Sequence, residues 1–249
     1  MNIEVISSID TDRLSFSFIV PVYNRTQKLR ESVRSLLSQT YDNFEVLLIC
    51  DGSPEETMEV VQELAQSDKV RLFTYKNNSG NACRGRNKGI TEARGDYVCL
   101  HDSDDIAHHE RLTRTKEAIE QRGAEAIYGA TKIITDGTRE IEGIKNGQLL
   151  DPPEFDFDLL KNVNIPMTCS VTVKRELLLR YGGFREEMRY REDHELWLRL
   201  AHHGCNWVKA AGLLCYYRVH GGNAELTLRD NDAHWFKQAL YFFDKPFLA

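Results

Sequence analysis

Three carboxylates close a mostly apolar run in the segment Tyr97-Val98-Cys99-Leu100-His101-Asp102-Ser103-Asp104-Asp105. Asp102 and Asp104 are separated by one residue, so a turning backbone can aim both at one point. Negative charge packed this closely repels itself unless a cation neutralises it. A divalent metal held by carboxylate oxygens, facing a diphosphate, answers that repulsion. The competing reading is an acidic loop that merely favours the next helix N-terminus. A second acidic pair stands at the start of a helical pattern, Arg191-Glu192-Asp193-His194-Glu195, with Leu196, Trp197 and Leu200 on its apolar face. A carboxylate there either caps the helix or presents a general base to a cleft. Tyr216-Tyr217-Arg218-Val219-His220-Gly221-Gly222 places a histidine at a strand end, within reach of a metal or a diphosphate.

These residues need elements to hold them. Apolar runs at residues 16–22, 44–50 and 70–75 read as strands, and the run ending at His101 as a fourth. Helical patterns separate them, with Leu29, Val33, Leu36 and Leu37 on one face and Val60, Val61 and Leu64 on the next. Thr26 is placed to cap the first helix. Ser53-Pro54-Glu55-Glu56 has the form of a cap followed by a proline in the first turn. Strand-helix alternation of this kind predicts a mostly parallel central sheet flanked by helices, an α/β Rossmann-like domain.

Beyond residue 105 the pattern is less regular. A helix is expected over 109–122 and a strand over 125–129. Asp136-Gly137 suggests a hairpin between 131–135 and 140–144. Residues 145–166 read as a long loop, and such loops are often binding elements. A strand over 168–173, helices over 174–181 and 193–203, and a strand over 213–219 complete the pattern. The resulting division is an extension at 1–15, one domain at 16–223 split at residue 105 into a nucleotide half and an acceptor half, and a helical segment at 224–249. The aromatic stretch from Trp235 to Phe243 is read as packing on the domain's own core, with a lipid-linked acceptor, a membrane surface or a second subunit as the alternative.

In parallel α/β sheets ligands bind beyond the carboxyl ends of the strands. Pro21-Val22-Tyr23-Asn24-Arg25, Asp51-Gly52-Ser53, Asn77-Asn78-Ser79-Gly80 and Asp102-Ser103-Asp104 all fall at such ends. Asp51 is either a turn residue beside Gly52 or an acceptor for a base or ribose donor. Arg84 and Arg86 face either phosphate or solvent.

The 249 residues are 41% hydrophobic and 28% charged, with a formal charge of −6. That balance excludes the basic stripe of a general nucleic-acid binder. Nothing approaches the roughly 20 apolar residues of a membrane span, and the polar, acidic start lacks a signal peptide's basic and apolar regions. A cytoplasmic location is expected, with contact at the inner face of the cell membrane as its extension. The cysteines at 50, 83, 99, 169, 205 and 215 show no metal-knuckle or redox spacing and read as buried thiols.

Together these pieces resemble the family 2 glycosyltransferases of the GT-A fold. The resemblance runs through Phe18-Ile19-Val20-Pro21-Val22-Tyr23-Asn24-Arg25, Asp51-Gly52-Ser53, Arg86-Asn87-Lys88-Gly89-Ile90, Ala93-Arg94-Gly95-Asp96-Tyr97, Asp102-Ser103-Asp104-Asp105, Gly182-Gly183-Phe184 and Glu192-Asp193 with Leu196-Trp197-Leu198-Arg199-Leu200. It implies a nucleotide-sugar donor, most often a UDP-sugar, and inversion at the anomeric carbon. Pro21, Tyr23 and Asn24 would line the nucleotide pocket, Asp51 would bind the base, and Arg86 and Asp102 would approach the nucleotide and sugar. Asp104, with His220, would hold Mn²⁺ or Mg²⁺, and Asp193 would be the general base. The implied acceptor is a glycan or a lipid-linked oligosaccharide, in cell-envelope polysaccharide synthesis. Two positions depart from the family pattern: Cys50 stands where an acidic residue is usual, and His101 where an apolar one is common. His101 either faces the rim of the sheet or alters the local acidity near the metal.

Two other functions compete with this one. A nucleotidyltransferase on a similar fold would carry a basic glycine-rich loop directly after the first strand, and Tyr23-Asn24-Arg25-Thr26 is not one. A silent glycan-binding or scaffold module would be marked by loss of Asp104 or Asp193, and both are present.

Overall fold

Phe16, Phe18 and Val20 point to one side of their strand and Ile19 to the other, and both sides are buried. This two-faced burial is what a parallel strand between two helical layers requires. The computed structural model describes residues 13–138, 143–221 and 232–245. In chain order the elements are β1 (Phe16–Val22), α1 (Thr26–Leu37), β2 (Phe44–Asp51), α2 (Glu55–Leu64), β3 (Val70–Tyr75), α3 (Cys83–Glu92), β4 (Tyr97–Leu100), β5 (Ile106–Ala107), α4 (Arg111–Arg122) and β6 (Ala126–Thr135). There follow β7 (Leu149–Leu150), α5 (Phe157–Leu160), β8 (Thr172–Lys174), α6 (Arg175–Tyr181), α7 (Glu192–His202), β9 (Trp207–Val219) and α8 (Asp232–Phe242).

One sheet runs β3-β2-β1-β4-β8-β6-β9-β5, with β7 paired to β6. The block β3-β2-β1-β4 is parallel throughout. Beyond β4 the sheet is mixed, because β8 runs antiparallel to both β4 and β6 while β9 runs parallel to β6. Helices α1, α2 and α4 cover one face through residues such as Leu29, Val33, Val61 and Leu112. Helices α3, α6 and α7 cover the other through Ile90, Leu178, Trp197 and Leu200.

Several local expectations are corrected. Thr26 does not cap α1; Arg25 holds that position with φ 78°, in the left-handed region. Ser53 does not cap α2, because its hydroxyl donates to the Val22 carbonyl at 3.0 Å and so ties the end of β2 to the end of β1. The strand expected at 125–129 and the one at 131–135 are a single strand, β6. Gly129 marks a register shift within it rather than its end, since a side chain there would press on Leu214 at 2.8 Å. Besides β8 and β9, the second half of this strand pairs with β7, Thr131 opposite Leu150; part of the expected 140–144 strand lies outside the described residues. The expected 168–173 strand opens as a 3-10 turn, Thr168–Ser170, before β8.

Ala239 of α8 is buried, and Leu240, Phe242 and Phe243 pack against the core beside α7. The aromatic stretch therefore covers the domain's own interior. Among the described residues no helix is long and apolar enough to cross a membrane. All six cysteines are buried and free.

Candidate functional site

The carboxyl ends of β1, β2 and β4 open onto a cleft of about 860 Å³, within the range of ligand pockets. Pro21, Tyr23, Asn24 and Asp51 line it on one side, with Arg86, Asp102 and Asp104 at its base. The first turn of α7 forms a second wall and brings Glu192 and Asp193 into the same cleft. The long loop lines it too, contributing Asn162, Val163, Asn164 and Pro166. His220 lies behind Asp104 and touches it. Every residue to which the resemblance gives a donor, metal or base role therefore lines the cleft or, for His220, contacts a residue that does.

Each donor-side carboxylate is engaged by a guanidinium. Asp51 Oδ1 accepts from Arg84 Nε at 2.9 Å, while Oδ2 accepts from the backbone N–H and hydroxyl of Ser79 at 2.9 and 2.6 Å. Burial pushes the Asp51 carboxyl up, but the Ser79 hydrogen bonds and Arg84 outweigh it, and the net shift is downward. Asp102 Oδ1 accepts from Arg86 Nη2 at 2.7 Å, and Arg86 Nη1 donates to Glu192 Oε1 at 2.8 Å. Buried Arg86 thus bridges the two walls.

Asp104 is as deeply buried as Asp51. Its Oδ2 accepts from Arg25 and lies 2.7 Å from His220 Nε2. Burial raises this carboxyl, yet the His220 hydrogen bond and the charges of Arg25 and His220 hold it below the usual carboxylate range. The left-handed turn at Arg25 is what swings its guanidinium onto Asp104. Nothing in the residue types of the segment signalled this contact, which depends on one backbone torsion and a partner 79 positions away.

The Asp104–His220 pair fits a divalent cation. A carboxylate oxygen and an imidazole nitrogen, both metal-ligating atom types, meet at 2.7 Å in a hydrogen bond, and a cation held by them would replace that bond. One carboxylate and one imidazole suit Mn²⁺ better than Mg²⁺, and Arg25 already places positive charge at this spot.

Asp193 is held differently. Thr168 Oγ1 donates to Oδ2 at 2.7 Å, Asn164 Nδ2 to Oδ1 at 3.2 Å, and the His194 N–H to Oδ1 at 2.7 Å. All three donors are neutral. No side-chain hydrogen bond caps α7, and Arg191 takes the cap position with φ 58°. Asp193 therefore does not act as the helix cap that its position also allowed. Asn164 and Thr168 were not recognisable beforehand, because only the folded loop brings them to α7. Neighbouring Glu192 is pushed up by burial, opposed by Arg86 and reinforced by Asp193, with a net upward shift.

The two departures from the family pattern are both interior. Cys50 is buried, and burial pushes its thiol up to about 11 against a hydrogen bond from Ser53. His101 does not face the rim: it is fully buried, edge-on to Phe18, with Arg111 Nη1 3.2 Å from its Nδ1. Buried Arg111 donates to the carbonyls of Leu100 and Val171 and so leaves room for a polar ring where an apolar side chain was expected.

Residues 17–182 match the model of glycosyl transferase family 2. A glycosyltransferase of Haemophilus influenzae is 31% identical over 174 residues, 69% of this chain and 67% of the relative. The glycosyltransferase GlyG of Streptococcus pneumoniae is 33% identical over 114 residues, 45% of this chain and 38% of the relative. A Rickettsia bellii glycosyltransferase matches 74% of this chain at 29% identity, yet the chain spans only 26% of it. Among solved structures, S. aureus TarS 1-349 in complex with UDP-GlcNAc superposes with a TM-score of 0.72 at 20% identity, over 95% of this chain and 68% of that one. Mannosyltransferase PcManGT from Pyrobaculum calidifontis, in complex with GDP-Man and Mn²⁺, gives 0.65 at 17% identity, over 95% and 66%. These two similarities show the fold, which is GT-A. With a family match across two thirds of its residues, the chain belongs to glycosyl transferase family 2.

Proposed function

We propose that this protein is an inverting glycosyltransferase that moves a sugar from a nucleotide diphosphate sugar, most simply a UDP-sugar, to a hydroxyl of a glycan or lipid-linked oligosaccharide. The observation that carries this reading is that Asp104 and Asp193 line one cleft, in which Arg86 joins their neighbours Asp102 and Glu192. Pro21, Tyr23 and Asn24 would contact the nucleoside, with Asp51 accepting from a base N–H in place of its present hydrogen bond with Ser79. Arg86 and Asp102 would meet the ribose and sugar.

Asp104 and His220 would hold Mn²⁺ or Mg²⁺, which when bound supplies Lewis acidity to the departing diphosphate. Arg25, beside them, adds positive charge at the same place. Asp193 would take the proton of the acceptor hydroxyl. The acceptor oxygen then bonds to the anomeric carbon from the face opposite the diphosphate, and the sugar–diphosphate bond breaks with its electron pair leaving on the phosphate. A single displacement of this kind inverts the anomeric centre. Thr168, Asn164 and the His194 N–H orient the Asp193 carboxylate, which lines the cleft, and that placement supports the role of base.

Turnover of sugar nucleotides with and without Mn²⁺ tests the proposal. Metal-dependent release of nucleoside diphosphate from at least one sugar nucleotide is expected. Failure of every nucleoside diphosphate to bind would contradict it. Location at the inner face of the membrane and a part in cell-envelope synthesis follow only if the acceptor proves to be lipid-linked.

A further inference from the structure

Behind the donor wall lies a second group of ligating side chains that the proposed transfer does not use. Asp105 comes from the loop after β4, Cys169 from the 3-10 turn before β8, and Cys215 from β9. Their carboxylate oxygen and two Sγ atoms lie within 4.8 Å of one another, and all three residues are buried. Asp105 Oδ1 accepts the Arg218 N–H at 2.8 Å. Its Oδ2 is fully buried with no hydrogen-bond partner among the described residues. An orphaned carboxylate oxygen in a dry interior is costly and asks for a ligand.

We infer that Asp105, Cys169 and Cys215 form a binding site for one thiophilic divalent cation, Zn²⁺ by its chemistry, separate from the Asp104–His220 pair. Sulfurs about 2.3 Å from a tetrahedral zinc stand about 3.8 Å apart, inside the spread of these ligand atoms. The thiols release their protons to solvent as the metal binds. Two thiolates and a carboxylate then balance the dication together with the buried guanidinium of Arg111, which contacts His101 beside the cluster. Cys169 also lines the cleft, which gives a cation a way in. The three ligands belong to three separate segments. A cation here would staple the loop carrying Asp102 and Asp104 to β9, the strand that leads to His220.

The test uses metal-stripped full-length protein and Cd²⁺ alone as the probe. An ultraviolet sulfur-to-cadmium charge-transfer band should grow to saturation at one equivalent, and Zn²⁺ should abolish it. Zn²⁺ should also raise the melting temperature of the wild type. Cys169→Ala and Cys215→Ser should each lose most of the band, while Cys50→Ser keeps it. Asp104→Ala should keep it too, because the Asp104–His220 pair has no sulfur. No band in the folded wild type, or an undiminished band in Cys169→Ala, overturns the site even if Cys215→Ser fails to fold. Either result leaves nucleotide binding, measured separately, untouched.

Discussion

The two walls of the cleft treat their carboxylates in opposite ways. On the donor wall Asp51, Asp102 and Asp104 are each engaged by an arginine. On the α7 wall Asp193 is held by an amide, a hydroxyl and a backbone N–H. An arginine partner holds a carboxylate by charge as well as by hydrogen bonds, whereas neutral donors hold one by hydrogen bonds alone. The proposed division of labour, charge stabilisation beside the arginines and proton removal at Asp193, would draw on that difference.

The largest effect should come from Asp193→Asn, which is isosteric and keeps the acceptor oxygen for Thr168 or Asn164. Transfer should fall by about 10²–10⁴-fold, the usual worth of a general base. Retention of transfer would dissolve the contrast between the walls. Arg25→Ala sharpens it from the other side. A unit charge about 4 Å away is worth ~1–4 kcal/mol, so Mn²⁺ should bind the donor-free variant about tenfold more tightly, as read by electron paramagnetic resonance of free Mn²⁺. Weaker binding would mean that Arg25 does not compete with a cation at Asp104.

Thr168→Val removes one of three donors to Asp193. A loss of about 1 kcal/mol corresponds to roughly fivefold in kcat, with the KM for donor unchanged. A rise in that KM instead would place Thr168 on the donor side.

The smallest effects are in pH. The Asp51 carboxyl is lowered in the folded state, so it contributes stability above its unfolded value of about 3.9 that is lost as pH falls through the lowered one. The Glu192 carboxyl is raised, so its contribution is complete below about 4.3 and is lost as pH rises through the raised value. Urea midpoints should therefore show the difference between wild type and Asp51→Asn shrinking on acidification. The difference for Glu192→Gln should change in the opposite sense. Parallel trends would contradict the assignment.

The donor wall was more legible in the sequence than the α7 wall, and the reason is physical. In β1, α1, β2 and α2, periodicity and burial coincide, because each strand is covered on both faces and each helix on one. The polar residues that follow these strands then fall on one rim by topology alone. Past β4 the chain pairs antiparallel through β8, β6 keeps going through a register shift at Gly129, and the long loop returns to line the cleft. No local pattern encodes that return, so Asn164 and Thr168 were invisible while Asp193, in a recognisable helix start, was not. Arg25 and Arg191 share the same opacity: both owe their positions to left-handed torsions that residue type does not announce. His101 was misplaced because a histidine beside three aspartates suggests a polar rim, whereas buried Arg111 gives it a partner inside.

Calorimetry of UDP binding with and without Mn²⁺, run side by side on Asp104→Ala and Asp193→Asn, tests the division of labour most directly. The account predicts that Asp193→Asn keeps the wild-type affinity and its dependence on Mn²⁺, while Asp104→Ala loses that dependence. Equal losses in both variants, or a manganese response unchanged in Asp104→Ala, would contradict it.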